Sequence, residues 1–306
     1  MSFGERDEQV LGQEIDDLRK TRHAVILAHL YQRPSVQRVA DIVGDSLELS
    51  RKAAETHAEV IVFCGVRFMA ETASVLNPQK MVLLPEPSAG CAMAEMATAE
   101  QVRARRRELP EETAVVSYVN STAEVKAESD ICCTSANAVQ VVRSLPQQHV
   151  LLVPDRNLGS YVAEQVDKDV ILWDGHCYVH DPNISPEAVR ELRRLHPHAA
   201  VMVHPECDVA VRRMADFVGS TSQMLDYAAR PGKRAFIVGT EEALLHPLQE
   251  QNPHKQFFAT GSVCSSMRLT TLSSIRRVLD RMANVVRVPA EIRERAAAAV
   301  NAMLAV

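Results

Sequence analysis

Short apolar runs recur along the chain at 24–29, 59–63 and 81–84, again at 114–119, 149–153 and 170–173, and again at 199–204, 234–238 and 256–258. They are continuous rather than alternating and rich in β-branched residues, as strands buried on both faces are. Stretches of helical composition separate them, so each set reads as βαβ units on a parallel sheet. Right-handed crossovers place helices on both faces of such sheets. The predicted fold class is therefore α/β: three αβα three-layer domains with small parallel sheets, related by a pseudo-threefold axis, with the active site at their central junction. The expected division is 1–92, 93–178 and 179–265. The segment 266–306 has Ala/Arg/Glu/Met-rich helical composition and no fresh strand, and is expected to pack back on the first repeat and complete it.

The repeat extends to single residues. Helical patterns are expected through 40–46, 129–135 and 215–221, which align Asp41, Asp130 and Asp216 at offsets of 89 and 86 residues. Twelve residues before each aspartate stands His29, Tyr118 or His204, and ten before it Tyr31, Asn120 or Glu206. Residues i and i+2 of a strand share a side, so each repeat offers two polar groups at a strand's C-terminal end, where open parallel sheets bind ligands. Five residues after each aspartate comes Ser46, Ser135 or Thr221. These hydroxyls suit helix N-caps, where free backbone N–H groups favour anions. A capping serine or a strand-end histidine is commonplace alone; recurrence in phase is what singles these out.

Three cysteines keep the same phase. Cys91, Cys177 and Cys264 lie 86 and 87 residues apart, each just after a strand and a glycine. Three converging thiolates leave a metal centre one ligand short, as a catalytic metal requires. By themselves they suit zinc and an iron–sulfur centre equally, in an enzyme or in a metabolite-binding sensor. Cys64, Cys132 and Cys133 fall in apolar segments and read as core. Cys207 neighbours Glu206 but breaks the repeat. His180, three residues after Cys177, is a fourth metal ligand or an acid/base group, with the second reading preferred.

Composition narrows the classes. Apolar residues make up 46% and charged residues 24%, ordinary for a globular chain. A net charge of -5 speaks against nucleic acid as a partner. The basic cluster from Arg103 to Arg107 is interrupted by Ala104, runs into Glu108, Glu111 and Glu112, and reads as a solvated helix face. Glu5, Arg6, Asp7 and Glu8 speak against a secretory signal, and no apolar run approaches the ~18 residues of a membrane span. Seven cysteines without a leader point to a reducing, cytoplasmic setting with free or metal-bound thiols. Phosphate-binding, dinucleotide-binding, nucleophile-elbow and H-E-x-x-H motifs are all missing from the sequence.

Seven strings, in order and in register from about residue 20 onward, together resemble quinolinate synthase. They are Ala28-His29-Leu30-Tyr31-Gln32, Gly44-Asp45-Ser46-Leu47-Glu48-Leu49, Phe68-Met69-Ala70-Glu71-Thr72, Tyr118-Val119-Asn120-Ser121-Thr122-Ala123, Thr134-Ser135-Ala136-Asn137, Gly175-His176-Cys177-Tyr178-Val179-His180 and His204-Pro205-Glu206-Cys207. The resemblance implies a [4Fe–4S] cluster held by Cys91, Cys177 and Cys264 with one iron open. It implies condensation of iminoaspartate with dihydroxyacetone phosphate to quinolinate, phosphate and two waters in NAD biosynthesis, with functional coupling to L-aspartate oxidase. Carried over string by string, His29, Ser46, Tyr118, Val119, Asn120, Ser135, His180, His204, Pro205, Glu206 and Thr221 line the substrate site. Tyr31, Tyr118, His204 and Glu206 are the candidate proton-transfer groups. Two features depart from the family: Arg268 stands where many members carry lysine, and Cys264-Ser265-Ser266-Met267 lacks a C-x-x-C-x-x-C segment.

Overall fold

The computed structural model describes residues 3–306, with side chains from Asp7 onward. Met1, Ser2 and the side chains of Glu5 and Arg6 lie outside the described residues. Each repeat builds one four-stranded, all-parallel sheet. The first comprises β1 (Ala24–His29), β2 (Ile42–Gly44), β3 (Val60–Cys64) and β4 (Met81–Leu83), in the order β2-β1-β3-β4. The second comprises β5 (Ala114–Tyr118), β6 (Ile131–Cys133), β7 (His149–Val153) and β8 (Asp169–Leu172), ordered β6-β5-β7-β8. The third comprises β9 (Ala200–Val203), β10 (Phe217–Val218), β11 (Ala235–Gly239) and β12 (Gln256–Ala259), ordered β10-β9-β11-β12. All three orders reverse direction between their first and third strands, which opens a crevice at the carboxyl ends of those strands.

The continuous apolar runs follow from burial on both faces. In the first sheet Leu27, Ile61, Phe63 and Val82 face the helices Ser46–Glu55 and Arg67–Leu76. The alternate residues Ile26, Val60, Val62 and Leu83 face Ile15 of helix Phe3–Thr21 and Ile275 and Leu279 of helix Leu272–Arg281. Both sides of the pleat are thus apolar, and no period-2 signal survives in the sequence. Cys64, Cys132 and Cys133 are fully buried within this core.

Two expectations need correction. The segments 40–46, 129–135 and 215–221 are not helical through their length: each contains a short edge strand, β2, β6 or β10. A run of two or three apolar residues is too short to show a period, so helix and strand look alike there. Cys132 and Cys133 accordingly sit in β6. Of the segment 266–306, helix Leu272–Arg281 packs on the first sheet and Val285 bridges Leu83 of β4. Helix Ala290–Leu304 instead places Ala299, Val300 and Met303 in the core of the second sheet, and Ala296 against Val75 and Ala123.

The recurring aspartates fix these edge strands. Asp41 Oδ2 accepts the Ile26 N–H, Asp130 Oδ2 the Val115 N–H and Asp216 Oδ2 the Val201 N–H, at 2.8, 2.7 and 2.8 Å. In return their own N–H groups donate to the carbonyls of Ile26, Val115 and Val201. Each aspartate closes the crossover onto the start of the central strand, so its recurrence is structural. The arginines of helix Ala99–Glu108 lie at the surface and pair with Glu108, Glu128 and Asp130.

Lys126, in the short helix Ala123–Ala127, is fully buried. Its ammonium donates to the Ser121 carbonyl and lies 5.5 Å from the Phe68 ring centroid. Burial lowers its pKa from the usual 10.5. The unfolded chain therefore holds this proton to higher pH than the folded chain, and the penalty on folding fades as pH rises towards 10.5. Lys126→Met loses the hydrogen bond, worth about 1 kcal/mol, but also loses the penalty. The stability advantage of the unsubstituted chain over Lys126→Met should grow between pH 7 and pH 10 in urea unfolding; a constant gap would refute the assignment.

Candidate active site

The three crevices meet in one cavity, lined from all three repeats. Cys91, Cys177 and Cys264 all open onto it. The same local structure carries each of them. The N–H groups of Arg67, Arg156 and Glu242, which open the helical turns after β3, β7 and β11, donate to the carbonyls of Ala89, Gly175 and Ser262 (2.8, 2.8 and 2.9 Å). Two residues further on comes the cysteine, whose carbonyl accepts the N–H of Glu95, Asp181 or Arg268 (3.2, 2.8 and 3.2 Å). Glycine is required at Gly175, where a Cβ would sit 2.2 Å from the Pro154 carbonyl oxygen, and at Gly261, whose φ is +82°.

These turns aim backbone N–H groups at sulfur: Met93 and Ala94 at Cys91, Val179 at Cys177, Ser266 and Met267 at Cys264. Burial nevertheless dominates and pushes the Cys91 thiol up to about 12, with Cys177 and Cys264 also raised. Left alone, the three are neutral thiols; a bound cationic centre would turn them into thiolates. Glu241, fully buried, braces the third turn by accepting the Cys264 N–H at 3.3 Å and pairing with the Arg268 guanidinium at 3.1 Å. Arg268 is thereby engaged with Glu241 and Glu242 rather than turned into the cavity.

Ser46, Ser135 and Thr221 line the cavity too, but none is an N-cap. Asp45 caps helix Ser46–Glu55, accepting the Leu47 and Glu48 N–H groups, and Ser220 caps helix Thr221–Ala229 in a capping box with Gln223. Ser135 lies in the turn before Asn137, the N-cap of helix Ala138–Ser144. Because a neighbour does the capping, the hydroxyls of Ser46 and Thr221 stand at the first helical position, beside free N–H groups that favour an anion.

A hydrogen-bonded network fills the floor. Glu206, 2% exposed, accepts the Tyr118 hydroxyl at 2.5 Å on Oε1 and faces His180 Nδ1 at 3.0 Å through Oε2. His180 stacks on His204 with ring centroids 4.5 Å apart, and His204 Nε2 is 3.2 Å from the Ser135 hydroxyl. The first and third repeats match: the Tyr31 N–H donates to His29 Nδ1 and the Glu206 N–H to His204 Nδ1. Burial alone would raise the Glu206 carboxyl; the His180 ring and the Tyr118 hydroxyl outweigh it and hold it well below the usual range. Burial lowers His29 to about 4 and His204 to about 3, so both rings are neutral near pH 7. Burial, and then the charge of Glu206, raises Tyr31 and Tyr118 well above 10, so both remain O–H donors.

His29, Tyr31, Tyr118, Asn120, His180, His204 and Glu206 therefore share one cavity wall. Val119 and Pro205 do not line it. Val119 packs in the core of the second sheet, and Pro205 is buried with its carbonyl towards Arg212. Asn120 Oδ1 is buried without a hydrogen-bond partner, a position for a donor on a bound molecule. Sequence reasoning missed Thr240, which bridges Tyr31 and His180 (2.6 and 2.9 Å), and the apolar wall of Phe68, Met69, Met93 and Met267. Phe68 and Met69 stood in a quoted string, whereas Thr240 had no counterpart in the other repeats.

The donor set fits a sulfur-ligated metal centre: three thiols line one cavity, each met by backbone N–H groups, as iron–sulfur ligation favours. A second grouping, Cys177 with His180 and Glu206, brings its ligand atoms within 4.8 Å of one another. Both ring nitrogens of His180 are already engaged by Glu206 and Thr240, which favours the acid/base reading of that residue. No helix among the described residues is long and apolar enough to cross a membrane.

Three αβα repeats that pool thiols, phenols, imidazoles and a carboxylate in one cavity define an enzyme with a single composite active site. The family model described as quinolinate synthetase A protein matches residues 13–305. A protein of Desulforudis audaxviator named quinolinate synthase is 52% identical over 95% of this chain and 97% of its own length. One of that name from Geobacter sp. is 49% identical over 98% of both chains, and one from Dehalococcoides mccartyi is 52% identical over 97% of this chain and 99% of its own. The chain belongs to the quinolinate synthetase A family.

Proposed function

We propose that the chain condenses iminoaspartate with dihydroxyacetone phosphate to quinolinate, phosphate and two waters, in NAD biosynthesis. Cys91, Cys177 and Cys264 would hold a [4Fe–4S] cluster. The observation that carries this reading is the convergence of three thiols, from three equivalent turns, on the cavity that also holds the Tyr118–Glu206–His180 network. The balance involves no net oxidation: phosphate and two waters leave as one carbon–carbon and one carbon–nitrogen link are made. When bound, a cluster with three protein ligands supplies a Lewis-acidic iron for a substrate oxygen or nitrogen.

The remaining work falls to side chains. Ser46 and Thr221, with the helix N-termini behind them, and Ser135 suit the carboxylates and phosphate of the two substrates. Asn120 Oδ1 suits a substrate N–H or O–H. Tyr31 and Tyr118, kept protonated, suit proton donation to leaving oxygens, and Glu206 is the carboxylate that takes the proton up again. The wall of Phe68, Met69, Met93 and Met267 excludes water during the dehydrations.

Anaerobically purified protein should contain about four irons and four sulfides per chain and form quinolinate and phosphate in equal amounts from both substrates. Stoichiometric zinc with no visible absorption band would overturn the cluster assignment; a full cluster with no product would overturn the reaction. Tyr118→Phe keeps the ring and removes the donor to Glu206, and should cut turnover by about 10²–10⁴-fold. A much smaller loss with the metal content intact would make Tyr118 a binding group.

A further inference from the structure

We propose, resting on the reading above that the three thiols hold a metal centre, that Tyr178 is a positioning residue of that centre. Its phenol spans from the Cys177 turn to the Cys264 turn and holds the third sulfur in place. The repeat breaks at the residue that follows each cysteine: Ala92, Tyr178 and Ser265. Ala92 and Ser265 are exposed, whereas Tyr178 is partly buried and reaches across to the third repeat. Its oxygen accepts the Ser265 N–H at 2.9 Å, lies 2.9 Å from Ser265 Oγ and stands 3.9 Å from Cys264 Sγ. A second bond joins the same two turns, from the Ser262 hydroxyl to the Val179 carbonyl. Ser262 lies two residues before Cys264 and Val179 two after Cys177, so the turns are clipped together on either side of their thiols. The methyl group of Ala92 offers no such bond to a neighbour.

Proton bookkeeping shows what the phenol can do for the sulfur. A backbone N–H only donates, so one lone pair of the phenol oxygen is committed to Ser265. The single phenol proton has two acceptors within reach, Ser265 Oγ and Cys264 Sγ. A neutral thiol is a weak acceptor, so in the metal-free chain the proton goes to the nearer Ser265 oxygen. A thiolate ligand carries charge and accepts far more strongly. The exposed Ser265 hydroxyl is then free to turn and donate to the second lone pair of the phenol, which gives its own proton to sulfur. In both states the phenol stays bonded to the third turn; only the direction of one bond changes. Tyr178 thus holds a turn of the third repeat from the second, and supplies the third sulfur with an O–H donor when that sulfur is charged.

The test compares Tyr178→Phe, which keeps the ring and removes the hydroxyl, with the unsubstituted chain. In metal-free protein labelled with ¹⁵N-serine, the Ser265 amide is identified by its loss in Ser265→Ala. Its hydrogen exchange should speed up about fivefold in Tyr178→Phe, the factor that losing one hydrogen bond implies. The Ser129 amide, which donates to the Lys126 carbonyl in the second repeat, should exchange at the same rate in both. In anaerobic metal-loaded protein, Tyr178→Phe should release iron to a ferrous chelator about fivefold faster. It should also show a lower reduction potential, because a hydrogen bond to a ligand sulfur raises it. Unchanged Ser265 exchange would overturn the proposal. Faster exchange with unaltered potential and iron release would overturn it too, leaving Tyr178 a tie between turns with no influence on the sulfur. If the unsubstituted protein took up no iron, the cluster reading would fail, and the Ser265 exchange would still decide whether Tyr178 holds the third turn.

Discussion

Glu206→Gln should lower turnover by ~10⁴-fold, the upper end of what one acid–base group supplies, while leaving the protein folded and its metal content unchanged. The reason lies in what the amide can offer. Glu206 presents two accepting oxygens, one to Tyr118 and one to His180. Glutamine presents one oxygen and one NH₂ donor. Whichever way it turns, the NH₂ group meets either the Tyr118 hydroxyl or His180 Nδ1. One of those groups must reorient, and the proton acceptor is gone as well. The charge also contributes to raising Tyr31 and Tyr118, so its loss should bring both phenols down towards their ordinary range. Ultraviolet titration of the tyrosines, beside a turnover assay and thermal unfolding of the same preparation, separates lost chemistry from lost folding. A loss below about tenfold in folded, metal-loaded protein would leave Glu206 as an anchor for Tyr118 and His180 rather than a proton acceptor.

The repeat was the most legible feature of the chain, because it is written three times over. Apolar runs gave the central strands to within a residue or two, with 149–153 matching β7, and the phase of the polar residues gave a set that the structure brings to one cavity. What escaped is informative in physical terms. The edge strands β2, β6 and β10 are held by a side chain, the recurring aspartate, fifteen residues from the N–H it accepts, and no local periodicity reports such a bond. The hydroxyls at 46 and 221 looked like caps because cap and first helical position differ by a single residue; the capping groups are Asp45 and Ser220. Val119 and Pro205 came from matched strings rather than from phase, and a string carries its core residues along with its functional ones. Thr240 was invisible for the opposite reason: its counterparts after β3 and β7 are Gly65 and Pro154, so nothing recurs to mark it.

Alanine at Cys91, at Cys177 or at Cys264 should each abolish both the cluster and quinolinate formation, and the three losses should be equivalent. The four other cysteines supply the contrast. Cys64, Cys132, Cys133 and Cys207 are fully buried, and Cys207, though next to Glu206 in the chain, turns its sulfur to the Gly239 carbonyl rather than into the cavity. Cys207→Ala should therefore keep its iron and sulfide. Equivalence among the three is expected because each sits in the same turn, with the same carbonyl-to-N–H closure and backbone N–H groups facing sulfur. Removing any one leaves two thiols, too few for a centre that needs three protein ligands to leave one position open. Burial holds all three thiols protonated in the metal-free chain, so loading must release protons. Reconstitution should accordingly be weaker at pH 6 than at pH 8, and the pH dependence should disappear along with the cluster in each alanine variant. Iron and sulfide analysis of the four single variants, with the visible spectrum at both pH values, decides the matter. Retention of iron in Cys264→Ala, with loss only in Cys177→Ala, would shift the metal site to Cys177, His180 and Glu206, whose ligand atoms already lie within 4.8 Å of one another. That outcome would also cost His180 one of its two hydrogen bonds, since a metal-bound nitrogen cannot bond to Thr240 or Glu206 at the same time.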